Sequence, residues 1–185
     1  MEKIMKFDDL VDTYLTEDSD IIKEIKTMPV STQKKGIHTE TFKVGKHKYT
    51  ISLTHADDID EFYEDISDDW HEANILYKTG LEDKITDSSR GFYSVYFSKQ
   101  SDGMSISDIS HVGIKNAITV FATVGDYIIK KFRGKKGYVL HFTSDNNEPS
   151  RVKLYNRLIK FLSAKLSLKS MVTKGDINTH YFLYS

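Results

Sequence analysis

Glu148-Pro149-Ser150-Arg151-Val152-Lys153-Leu154-Tyr155 opens the helix on which the reading of the C-terminal third turns. Pro149 suits a first helical turn, where its missing N–H costs no hydrogen bond. From there Val152, Tyr155, Leu158, Ile159, Leu162 and Leu166 recur every three or four residues, which predicts an amphipathic helix over 149–166. Asp145, Asn146 and Asn147 form the turn before it, and Tyr138-Val139-Leu140-His141-Phe142 is a short strand of β-formers. Further back, Ile114, Ala117, Ile118, Phe121, Val124, Ile128 and Phe132 stripe a second helix over 114–132. Lys130, Lys131 and Arg133 stand at its C-terminal end, where the helix dipole favours cations, and Gly134 stops it. His180 to Tyr184 reads as a terminal strand.

Upstream, Phe42 and Val44 alternate with polar neighbours, as do Tyr49, Ile51 and Leu53, with Gly45 between the runs. That is a hairpin with a short loop. Phe92 to Ser98 places aromatics on both alternating sets, as a central strand covered on both faces would. Gln100-Ser101-Asp102-Gly103 then turns the chain. Residues 56–72 carry nine acids and no Lys or Arg. Ile59, Phe62, Tyr63, Ile66 and Trp70 recur at helical spacing there, so one or more helix pieces with an acidic face are expected. Residues 74–78 read as a strand. Phe7, Leu10, Val11, Tyr14 and Leu15, then Ile21, Ile22, Ile25 and Met28, predict two short N-terminal helices, the second ended by Pro29. The expected division is a helical segment over 1–36 and an α/β domain over 37–185.

Composition narrows the function. The 185 residues contain no cysteine, which removes disulfides and thiolate catalysis. No apolar run is long enough to span a bilayer, and the N-terminus has no signal-peptide core. A cytoplasmic protein is expected. The net charge of -1 hides an asymmetry: residues 1–72 hold 18 acids against 9 bases, and residues 130–185 hold 12 bases against 3 acids. Such a division creates opposed surface potentials unless the two ends meet.

The order hairpin, strand, helix, strand, helix, strand predicts an α/β (α+β) sandwich with a mixed sheet flanked by helices. From about residue 90 onward it resembles the second half of the GNAT-type N-acetyltransferase fold. That resemblance implies acetyl-CoA as cofactor, its pyrophosphate held by backbone N–H groups at a glycine-rich helix start. The matching stretch is Ser110-His111-Val112-Gly113-Ile114-Lys115-Asn116-Ala117. It keeps Gly113, puts Lys115 where a second small residue is usual, and places Asn116 beside them. The resemblance also implies a tyrosine on the last helix that protonates the departing thiolate. Leu154-Tyr155 falls at that place, with Glu148 and Arg151 where the family has asparagine and alanine. Tyr155 also lies on the apolar stripe, so a packed core tyrosine is the competing expectation. The chain further resembles proteins of tailed bacteriophages, through Asn116-Ala117, Val120-Phe121-Ala122-Thr123-Val124, Glu148-Pro149-Ser150-Arg151 and Leu154-Tyr155-Asn156-Arg157-Leu158. This implies a phage-encoded protein in the host cytoplasm or the virion.

Two functions follow. One is a phage-encoded interaction protein on a degenerate GNAT-like scaffold, needing no cofactor. It would bind a host or virion protein through Asp57, Asp58, Asp60 and Glu61. The other is an acetyl-CoA-dependent N-acyltransferase with Tyr155 as acid. Lys153, Arg157 and Lys160 share one helix side and could contact nucleic-acid phosphates. An ordinary solvated face is the simpler account of them. His141-Phe142-Thr143 matches half of the His-x-Ser/Thr pair of two-histidine phosphoesterases, but no other histidine completes a second motif. His71 and Glu72 beside Asp68 and Asp69 match no standard metal spacing, and no metal is expected.

Overall fold

A computed structural model of the chain describes residues 37–67, 70–81, 83–84, 91–101, 104–106 and 114–185. The expected helical segment 1–36 lies outside the described residues, as does Gly113. The N-terminal hairpin forms as the alternation predicts. Strand β1 (Ile37–Val44) pairs antiparallel with β2 (His47–Ala56) over its full length. Gly45 turns the two-residue loop at φ +57°, a conformation in which an added Cβ is strained.

Residues 56–72 divide into two helices. Helix α1 (Ile59–Ile66) ends at Ser67, whose backbone is extended, and α2 (Trp70–Tyr77) follows. The expected strand at 74–78 is therefore the end of α2. Ala73 and Leu76, three residues apart, are both buried, so helical spacing prevails over a short run of β-formers. Strand β3 (Gly91–Ser101) pairs antiparallel with β2, and β4 (Met104–Ile106) pairs back on its end. Helix α3 (Ile114–Phe132) crosses to β5 (Tyr138–Asp145). Helix α4 (Pro149–Leu166) leads to β6 (Lys169–Lys174) and β7 (Asn178–Tyr184).

The seven described strands form one mixed sheet, six of them in the order β1-β2-β3-β5-β7-β6 and β4 off this path against β3. The fold is α+β. Among the described strands the one parallel pairing, β3 with β5, runs only from Gly91–Tyr138 to Ser94–His141. Beyond Ser94 both strands continue without pairing to each other, and a wedge opens between them. One face of the sheet is covered by α3 and α4. Its core joins Tyr49, Leu53, Val95, Leu140 and Leu183 to Phe121, Val124, Leu158 and Leu162. Burying each such side chain contributes about 1.5–3 kcal/mol before entropy. The other face carries α1 and α2, packed on Phe92, Val139 and Phe182.

Candidate functional site

Tyr155 lies where the wedge meets α4, and it is sealed. The residue is 2% exposed. Its ring stacks on Tyr181 at 5.6 Å, lies tilted on Phe97 at 5.6 Å and meets Phe121 edge-on at 5.0 Å. Phe97 belongs to β3, Tyr181 to β7 and Phe121 to α3, so the ring closes the helix-covered side of the wedge. Its hydroxyl hydrogen-bonds with the Arg151 guanidinium, which sits over the ring at 5.9 Å and is itself held by Glu148 at 2.9 Å. The unusual Glu148 and Arg151 thus join Tyr155 in one chain of contacts. Burial pushes the Tyr155 hydroxyl up to about 12, partly offset by Arg151. Such a group keeps its proton at neutral pH, and a pKa well above that of a thiol makes it a weak general acid.

The proposed phosphate-loop residues stand apart from it. Lys115 is in the first turn of α3. Asn116 faces the hairpin: a Cβ at Gly45 would lie 3.9 Å from its Oδ1. Phe121, the α3 residue touching Tyr155, is five residues on, about 7.5 Å along the axis. The site therefore divides into a helix start beside the β1–β2 turn and a buried tyrosine deeper along the wedge.

The acidic face is open. Asp57, Asp58, Asp60, Glu61, Glu64 and Asp65 are all exposed along α1, while Phe62, Tyr63 and Ile66 face the sheet. Among the described residues none of the six carboxylates forms an ion pair with Lys or Arg. The four residues expected to bind a partner have different local duties. Asp58 caps α1, its Oδ1 accepting from the Glu61 N–H at 2.9 Å, and Glu61 accepts from the Asp57 N–H at 2.8 Å. This is a variant of the capping box in which Glu61 reaches the N–H one residue before the cap. Asp60 accepts from the Tyr77 hydroxyl at 3.4 Å, and Asp57 faces His55 at 3.6 Å with its side chain 92% exposed. Partial burial, and after it the neighbouring Glu61, raises the Asp65 carboxyl above the usual carboxylate range.

One pairing was hidden from sequence reasoning. His141 of β5 and His180 of β7 project from the α1 side of the sheet, with His141 Nε2 and His180 Nδ1 3.0 Å apart. They are 1% and 0% exposed. The second imidazole that the His141-Phe142-Thr143 motif lacked is thus present in space, but it precedes Tyr181-Phe182 and brings no second hydroxyl motif. The signal lies in the β5–β7 register, which no local pattern reveals. Among the described residues no three His, Asp or Glu are grouped to hold a metal, and no helix is long and apolar enough to cross a membrane. Lys153, Arg157 and Lys160 are exposed on α4. Comparison with known protein families, with curated proteins and with solved structures finds no match to this chain.

Proposed function

We propose that this is a phage-encoded interaction protein. It uses a GNAT-like scaffold whose catalytic tyrosine position has become core, and it binds a basic surface of a host or virion protein through α1. One contrast carries the reading: Tyr155 is packed among four aromatic rings and held by Arg151, whereas the six carboxylates of the α1 region are exposed and have no Lys or Arg partner among the described residues. Opposed charge speeds encounter and selects partners. Because Asp58 and Glu61 cap the helix, the docking charges are best tested at Asp57, Asp60 and Glu64. A pull-down from host lysate with wild type and with Asp57→Lys/Asp60→Lys/Glu64→Lys decides the point. Loss of the captured partner with α1 still folded is expected. An unchanged set of captured proteins would remove α1 as the docking face.

The wedge favours a second reading, an acetyl-CoA-dependent N-acyltransferase. Strands β3 and β5 pair only as far as Ser94 and His141, a parting that could admit a ligand, and Lys115 and Asn116 would lie toward its phosphates. Tyr155 would then need to leave its aromatic stack to reach a thiolate.

A further inference from the structure

We propose that the cleft between the outer edge of β1 and the second half of α3 binds a short, extended peptide with apolar side chains and free ends, laid antiparallel to β1. The cleft lies on the opposite face of the sheet from α1, so the inference is independent of the docking reading.

The cleft holds about 900 Å³, a volume typical of small-ligand sites. Phe42, Ile51 and Ile129 give it an apolar floor. Glu40, Thr41 and Phe42 all line it, although successive strand residues point to opposite faces, so it reaches over the strand's edge. Among the described strands none pairs with that edge. Val44 and His47 close the two-residue loop as a hydrogen-bonded pair. By alternation Thr41 turns its N–H and C=O away from β2, toward the cleft. An added peptide strand uses such groups.

The walls carry charges of both signs that do not meet. Glu40 of β1 and Lys131 of α3 are half-buried, and Asp126, Lys130 and Arg133 stand exposed along the rim. Among the described residues no ion pair joins any of them. Glu40 is near enough to Lys131 to offset part of the fall that burial causes in the lysine's pKa. The Tyr127 hydroxyl is buried in the wall without a hydrogen-bond partner. Burial, then Glu40, pushes its pKa up to about 12, so it remains a donor at neutral pH. A peptide carbonyl supplies the acceptor it lacks. Asp126 and Arg133 lie seven residues apart on one side of the helix, about 10.5 Å along its axis. An extended chain of three residues spans about 10 Å. Its ammonium group then meets Asp126 and Glu40, and its carboxylate meets Lys131 and Arg133. Helix α3 starts beside Gly45 and ends with Phe132 against Tyr93, so it runs opposite to β1. That polarity of charge sets the peptide antiparallel to the strand.

Titration calorimetry of the full chain with trileucine and its end-blocked forms tests the site. Trileucine is expected to bind to saturation. N-acetylation and C-terminal amidation are each expected to weaken it at least about tenfold, as is shortening to free leucine, which cannot reach both ends. Glu40→Gln is expected to weaken trileucine but not the N-acetylated peptide, and Lys131→Gln to weaken trileucine but not the amide. A merely structural role for either residue would weaken every peptide alike. Amide exchange at Thr41 is expected to slow when trileucine is bound. No binding of trileucine, equal affinity for free and blocked peptides, free leucine binding as tightly, uniform losses in the two variants, or an unprotected Thr41 overturns the proposal. The peptide comparisons need no variant, so they decide even where a substitution fails to fold.

Discussion

Tyr155 shows how the surroundings of a residue assign its role. Its ring bridges β3, β7 and α3, so Tyr155→Ala is expected to cost about 3–5 kcal/mol, measured by urea denaturation. Tyr155→Phe removes only the hydroxyl that Arg151 holds and is expected to cost about 1 kcal/mol. The ionisation of tyrosine adds a pH test. Burial raises Tyr127, Tyr138 and Tyr155 each to about 12, above the ordinary 10. Their contribution to stability is full below pH 10 and is lost as pH rises toward 12, because the unfolded chain ionises first. The tyrosinate absorbance of these three should therefore appear together with unfolding, after that of exposed tyrosines such as Tyr77 and Tyr96. Ionisation of these tyrosines in a still-folded protein at pH 10 would contradict their burial. The stripe made Tyr155 legible as a core candidate. Its aromatic stack was not legible, since Phe97 and Tyr181 reach it only through the order of the sheet.

At the scale of elements, the strongest periodicities were readable and the weakest were not. Helices 114–132 and 149–166 form over the ranges their stripes predict, because each buries one continuous face. Strand β6 escaped notice. It is an edge strand with Lys169 and Lys174 at its ends, and Val172 points to solvent, so no apolar alternation marks it. Charged ends of this kind also discourage pairing with other chains. The acidic stretch was legible as amphipathic, but its break at Ser67 was not. Helix α1 has only eight residues, so its cap matters to its survival. Asp58→Ala is expected to weaken α1 by about 1 kcal/mol, read as faster amide exchange over 59–66. Glu64→Ala, with no capping role, is expected to change that exchange little.

Across the described residues, the acidic helix α1 and the main run of helix-borne cations lie on opposite faces of one sheet. The acids of α1 lie on one side, and the exposed Lys130, Lys153, Arg157 and Lys160 of α3 and α4 lie on the other. These two described sets therefore do not face each other within the fold. A partner held by the acidic face should be captured more slowly as salt rises from 50 to 500 mM, since screening shortens to a few ångströms. A salt-independent association rate would point to an apolar contact instead. The central proposal is that the wedge does not serve acetyl transfer, because Tyr155 is sealed into the core. Titration calorimetry of the full chain with acetyl-CoA tests it most directly. No binding heat at millimolar cofactor is the expected result. Micromolar binding, abolished by Gly113→Trp, would contradict it.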